Sequence, residues 1–190
     1  MSPYLLQFPK RFFDILLSIL VLPIALPIIF ISAIIIYITD GGPIFIAQER
    51  VGMQSLPFKM FKIRTLQNQF KYTPGKQHDT SDILWIGVFL RKFRIDELPQ
   101  IVNIFKGEMS WVGPRPEFPY FFEHYLKLNE SYSKRQSCRP GITGLAQIND
   151  PNATPENTLE KLPFDLKYVQ DATIWMDIHI MIKSFFAIWN

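Results

Sequence analysis

Cysteine is almost missing from this chain. Its 190 residues include one, Cys138, so no disulfide can close within the sequence and a disulfide-stapled fold is excluded. A Gly-x-x-x-x-Gly-Lys-Ser/Thr phosphate loop is also missing, since Gly75-Lys76 is followed by Gln77 and lacks the upstream glycine. No Gly-x-Ser-x-Gly nucleophile elbow occurs. The three histidines, His78, His124 and His179, lie too far apart for a local metal motif. Without a recognition-helix, zinc-finger or aromatic RNA-binding signature, nucleic acid is not an expected partner. Internal repeats and low-complexity stretches are lacking, and 17 Phe, 7 Tyr and 4 Trp exclude a solvated, disordered chain. Carboxylates, arginines and prolines are left to carry the chemistry, and Cys138 reads as a packed thiol.

Charge is missing from one long stretch. The 24 residues from Ile15 to Ile38 carry none, and most are Ile, Leu, Val, Phe or Ala. As a helix they would reach about 36 Å, enough for a hydrocarbon core of about 30 Å. The run exceeds a secretory signal's usual ~7–15 apolar residues and no small-x-small site precedes Gly41 and Gly42, so a retained membrane segment is expected. Pro23 and Pro27 fall on one helical face and leave the carbonyls of Ile19 and Pro23 without their usual partners, which predicts a break in the helix. Lys10 and Arg11 precede the run and read as membrane-interface anchors holding the N-terminus on the cytoplasmic side. Two topologies follow: a kinked span that exports the rest of the chain, or a re-entrant helix that bends at the prolines and returns. The run by itself leaves both open.

The remainder is unevenly charged. From Arg50 to Arg115 there are 11 Lys/Arg against 5 Asp/Glu, whereas the rest holds 9 against 12, so a net charge of +3 conceals a basic middle. It suits a solvated face, a platform for anionic lipid or a phosphate site. Ile44–Gln48 and Phe58–Arg64 read as two strands of a hairpin, and Gln67–Ser81, with Pro74-Gly75, as a loop. Ile83–Phe93, Asp96–Phe105, Phe118–Leu128 and Ile174–Trp189 read as helices, with Asp96 placed to cap the second and Pro99 in its first turn. Cys138–Gly144 reads as a tight connection. The expected fold is therefore an α-rich α+β protein with an N-terminal proline-broken helix, a small β-hairpin and several further helices.

Arg91-Lys92-Phe93-Arg94-Ile95-Asp96-Glu97 places three cations before two adjacent carboxylates. An anion, a divalent metal and a nucleophile could meet there. Successive helical positions point ~100° apart, so the two acids need not share a role. The plainer interpretation is an N-cap followed by a first-turn acid.

Downstream segments bear on that choice. Asp96-Glu97-Leu98-Pro99-Gln100, the run Gly107–Glu117 with Gly113-Pro114-Arg115-Pro116, and Arg139–Asn149 with Arg139-Pro140-Gly141-Ile142-Thr143-Gly144 together resemble the signature blocks of bacterial sugar transferases, the small monotopic phosphoglycosyl transferases. The likeness extends to Lys10–Asp14, Gly42–Phe45, Gln48–Gly52 and Phe61–Thr65, and so covers nearly the whole chain in order, in the family's minimal single-domain form.

The resemblance implies transfer of a sugar-1-phosphate from a UDP-sugar to a polyprenyl (undecaprenyl) phosphate, with release of UMP, as the first membrane step of surface glycoconjugate assembly. It implies Asp96 as the nucleophile forming a covalent phosphosugar, and Glu97 with Asp96 as the holders of Mg²⁺. Arg91, Arg115, Arg139, Lys62 and Arg64 are the implied phosphate contacts. It favours the re-entrant topology: residues 1–40 as membrane helix with basic flank, and 41–190 as a catalytic unit on the cytoplasmic face of the bacterial inner membrane. Leu26-Pro27 falls at the family's helix break. Leu26 lacks the hydroxyl of the more usual serine, which leaves Ser18, the geometry at Pro23 or water to satisfy a freed carbonyl. Amphipathic helices, Ile174–Trp189 among them, would lie in the lipid interface or pack in the core. The chain departs from the family pattern at Gly87-Val88, Phe93-Arg94-Ile95 and Asn149-Asp150, which bears on the donor sugar. The sugar and the oligomeric state are not legible. The alternative in another class is a non-catalytic scaffold binding anionic lipid at the membrane surface, and a rival enzyme would transfer by direct displacement.

Overall fold

The structure is a computed structural model that describes residues 1–69, 80–149 and 155–187. The first long element, α1 (Phe8–Asp40), contains the whole uncharged run. Pro9 suits its first turn, and Gly41, at φ 67°, closes it. Pro23 and Pro27 lie inside a helix that continues from Phe8 to Asp40, so the expected break is no interruption of helical backbone. Each proline removes a single intrahelical bond, and the flanking bonds suffice to carry the helix through.

Six positions of α1 are buried, Lys10, Asp14, Ser18, Ala25, Ser32 and Ile36, at steps of four and seven that trace one stripe. Outside the stripe Leu20, Ile24, Leu26, Phe30 and Ile31 are exposed. Both ends of the helix pack on the rest of the chain. Near the start, the Ser110 hydroxyl and Trp111 N–H donate to Asp14, and the Trp111 indole donates to Ser18. Near the end, Ile36 joins Ile63, Leu84, Ile86 and Leu90 in one apolar cluster, and Asp40 pairs with Arg64 at 2.8 Å. Ser18 donates to the Asp14 carbonyl, so it does not serve the carbonyls freed by the prolines.

The hairpin forms as the alternation predicts. Strand β1 (Phe45–Val51) pairs antiparallel with β2 (Pro57–Ile63), in register from Phe45 with Ile63 to Val51 with Pro57. Met60 and Ile63 of β2 are buried, and the tight connection uses positive φ at Gln54 and Ser55. Of the expected loop, residues 70–79, Pro74-Gly75 and His78 included, lie outside the described residues. On its flanks Leu66 bridges Ile83.

Helix α2 (Trp85–Lys92) leads through Arg94, at φ 54°, into a 3-10 turn, Ile95–Gln100, which runs on into the short α3 (Ile101–Lys106). The continuous α-helix expected over Asp96–Phe105 is thus 3-10 in its first half, and Asp96 lies within it rather than capping it. Pro99 denies the segment one N–H, which favours the tighter start.

Strand β3 (Ser110–Val112) lies parallel to β4 (Gly141–Thr143), a strand the sequence reading takes for a turn. A Cβ on Gly113 or Gly141 would overlap the facing backbone, so glycine is what lets the segments before Arg115 and after Arg139 meet. Helix α4 (Pro119–Leu128) matches its expected range within a residue. Helices α5 (Leu145–Asn149) and α6 (Leu162–Asp171) were not anticipated.

Helix α7 (Ile174–Ala187) buries Asp177, Ile180 and Ser184 on one face and exposes Trp175, Ile182, Phe185 and Phe186 on the other. Trp189 lies outside the described residues. Cys138 is buried, and burial pushes its thiol up to about 12, as suits a packed residue.

Candidate functional site

A cleft of about 590 Å³ opens between the hairpin, the 3-10 turn and the segments around Arg115, Gln147 and Asp165. That volume is within the range of small-molecule sites. Eight cationic side chains line it against four carboxylates, so the cleft attracts anions.

Asp96 and Glu97 sit together in its wall, 9% and 6% exposed. The 3-10 turn holds them against β2, and its first bond runs from Glu97 N–H to the Arg94 carbonyl. Their surroundings differ sharply. Glu97 Oε1 accepts from Lys62 and from Arg115, both at 2.7 Å. Burial works to raise the Glu97 carboxyl, but Arg115 and Lys62 outweigh it and hold the group well below the usual carboxylate range. No such donor reaches Asp96 among the described residues. Burial raises its pKa, only partly opposed by Lys62, and the Glu97 charge adds to the rise. The pair therefore consists of a fixed, ionised acid beside one whose lone pairs are uncommitted. Burial also lowers the Lys62 ammonium, against the pull of Glu97.

The other expected contacts divide. Arg91 lines the cleft, its Nε donating to Thr65 Oγ1 at 2.8 Å. Arg64 lines it too, but its guanidinium closes the end of α1, on Asp40 and on the Gly41 carbonyl at 2.7 Å. Arg139 is not among the residues that line this cleft: its Nε donates to the Gly107 carbonyl at 2.9 Å. Lys10 is not placed as an interface anchor. It is 3% exposed and pairs with Asp177 at 2.7 Å and Asp14 at 3.4 Å, supplying the counter-charge that those buried carboxylates need. Arg11 is half-buried and donates to the Phe105 carbonyl.

Several cleft residues escape the sequence reading. Arg135 donates to Asp165, to the Tyr132 hydroxyl and to the Arg115 carbonyl, and pairs with Glu117 at 3.5 Å, so it props up the segment after β3 that carries Arg115. These partners lie up to 30 positions apart and make no local pattern. Arg94 lines the cleft as well, and its signal was its place in the cationic run before Asp96.

Among the described residues no three His, Cys, Asp or Glu side chains gather as a metal-binding group. Asp96 and Glu97 nonetheless suit Mg²⁺, which commonly takes one or two carboxylates and completes its shell with water and substrate phosphate. Glu97 Oε2 is buried without a hydrogen-bond partner, an open acceptor of the right kind.

The fold and site together define a helix-rich protein that, among the described residues, carries one helix long and apolar enough to cross a membrane and presents paired carboxylates in an anion-attracting cleft. The family described as "Bacterial sugar transferase" matches residues 5–190, and the chain belongs to it. It is 38% identical to a UDP-glucose:undecaprenyl-phosphate glucose-1-phosphate transferase of Escherichia coli (strain K12) over 93% of this chain and 39% of that protein. It is 34% identical to a UDP-N-acetylgalactosamine-undecaprenyl-phosphate N-acetylgalactosaminephosphotransferase of Aeromonas hydrophila, over 93% of this chain and 43% of that one. With exopolysaccharide production protein ExoY of Sinorhizobium fredii (strain NBRC 101917 / NGR234) it shares 36% identity over 94% of this chain and 84% of the relative. The chain thus spans about two fifths of the length of the first two relatives.

Proposed function

We propose that the protein transfers a sugar-1-phosphate from a UDP-sugar to undecaprenyl phosphate through a covalent phosphosugar on Asp96, releasing UMP. The observation that carries this reading is the asymmetry of the dyad: a buried Asp96 free of donors beside a Glu97 held ionised by Lys62 and Arg115. The names of the relatives, which pair a UDP-sugar with undecaprenyl phosphate, supply the substrate class.

An Asp96 oxygen attacks the sugar-bearing phosphorus and the bond to the UMP oxygen breaks. The lipid phosphate then attacks the same phosphorus, and Asp96 leaves as carboxylate. Two bulky substrates thus use one cleft in turn. Phosphoryl transfer calls for positioning and charge stabilisation, which Arg115, Lys62 and Arg91 provide from the cleft wall. Glu97 and Asp96 would hold Mg²⁺, which when bound neutralises charge on the diphosphate.

We place the active site at the cytoplasmic face of the bacterial inner membrane, with α1 re-entrant. Support for the re-entrant form comes from its two ends. Straight, the stretch from Asp14 to Asp40 would be about 39 Å long, and Asp14 near one end and Ile36 and Asp40 near the other both pack on the rest of the chain. The exposed apolar side chains on α2 and α7, Trp85, Phe89, Trp175 and Phe185 among them, suit the lipid interface.

Incubation with a panel of UDP-sugars should release UMP and add the mass of a phosphosugar to Asp96. An Asp96→Asn variant that still turns over would sink the covalent mechanism. Sequential rather than ping-pong kinetics would instead point to direct displacement. Salt-sensitive liposome binding without UMP release from any donor would mark a lipid-binding scaffold.

A further inference from the structure

The cations of the cleft are almost all engaged with the protein itself. Lys62 and Arg115 donate to Glu97, Arg64 pairs with Asp40, Arg91 bonds Thr65 and Arg135 is bound to Asp165. Arg50 and Lys161 have partners too. Arg94 differs. It lines the cleft half-buried, yet among the described residues its guanidinium makes no hydrogen bond, ion pair or ring contact.

Its backbone adds a second, independent observation. Arg94 stands at φ 54° and ψ 24°, in the left-handed region, where it ends α2 and accepts the first hydrogen bond of the turn that carries Asp96 and Glu97. A Cβ is unfavourable there, and glycine or asparagine would hold the same turn with less strain. The backbone therefore gives no reason for an arginine, and among the described residues no hydrogen bond, ion pair or ring contact gives one for its side chain. What is left is a ligand in the cleft.

We propose that Arg94 binds a phosphate oxyanion of the substrate alongside Arg115, Lys62 and Arg91, as the cleft guanidinium that has no hydrogen-bond, ion-pair or ring partner among the described residues. A free guanidinium presents a planar fork of N–H donors that matches phosphate oxygens two at a time. It lines the same cleft as Asp96, two residues before it in the chain. The assignment rests on the phosphoglycosyl transfer reading for the identity of the phosphates, which come from the donor diphosphate or the lipid phosphate.

The test measures binding of UDP and, separately, of a short-chain polyprenyl phosphate to the full chain in detergent, by calorimetry, for wild type and for Arg94→Gly, Arg94→Asn and Arg94→Lys. Arg94→Gly relieves the backbone, so lost binding in that variant reports the guanidinium rather than the turn. A weakening of roughly 10- to 100-fold is expected for Gly and Asn, the span set by a hydrogen bond to a charged group, with Lys in between. Loss confined to UDP assigns Arg94 to the donor diphosphate, loss confined to the lipid assigns it to the acceptor, and either supports the proposal. Wild-type binding of both ligands by the Gly and Asn variants would overturn it, as would a wild-type chain that binds neither. A chain whose UDP binding depends on Arg94 but which releases no UMP from any UDP-sugar would instead defeat the transferase reading and leave Arg94 as a phosphate contact.

Discussion

Asp96 is a residue whose chemistry and stability pull in opposite directions. Its folded carboxyl is raised above the unfolded value of about 3.9. Its cost to stability is therefore absent below the unfolded pKa and complete once the pH has passed the folded one. At neutral pH Asp96→Asn should abolish UMP release yet raise the thermal midpoint, by about 2–4 °C for each kcal/mol recovered in a chain this long. A scanning melt of both proteins checks it, and a lowered midpoint would show that the carboxylate is better held than its surroundings suggest. The same shift sets the acid side of the rate. In the proposed mechanism only the ionised carboxylate attacks, so the initial UMP burst should fall off at a pH above the ordinary aspartate range, and a limb at or below ~3.9 would contradict a desolvated nucleophile. Asp96 and Glu97 were legible in the sequence as a dyad, since adjacency is local. Their opposite environments were not, because Lys62 and Arg115 reach Glu97 from 35 positions before and 18 after.

At the scale of elements, legibility follows the same rule. The hairpin, α2, α4 and α7 could be read because their apolar periodicity is written within each segment. The β3–β4 pair could not, because three residues of parallel strand gain their identity from a partner 31 positions away. Helix α1 was legible in length and composition, but its polar stripe was masked by the prolines and the surrounding isoleucines. Its topology is open to a direct test. Cys138 is buried and serves poorly as a reporter, so exposed positions are needed. Gln7→Cys and Lys134→Cys, both at exposed sites, should react with an impermeant maleimide from the same side of sealed inverted vesicles. Labelling from opposite sides would establish a span and end the re-entrant reading. Replacing Pro23 and Pro27 together by alanine restores two N–H donors to α1, and should shift a measurable fraction of molecules to the spanning form in the same assay.

For the molecule as a whole, the Lys10 network joins the start of the chain to its end. Lys10 bonds Asp177, which also accepts from Tyr4 and Tyr168, and the Tyr168 hydroxyl reaches the Val112 carbonyl as well. Asp14 and Asp177 are 0% exposed, so removing the ammonium strands two charges. Lys10→Met should cost about 3–5 kcal/mol. Lys10→Met with Asp177→Leu should cost less than the two single changes added, by denaturant titration; strict additivity would show that the pair does not act together. A span adjusts to thicker or thinner bilayers by tilting or by deforming the lipid around it, since it must meet both surfaces. In the re-entrant reading a helix pinned at both ends to one body, as α1 is, would meet one surface only. In the re-entrant reading its depth is set by the protein, and acyl-chain length in the far leaflet should leave turnover unchanged.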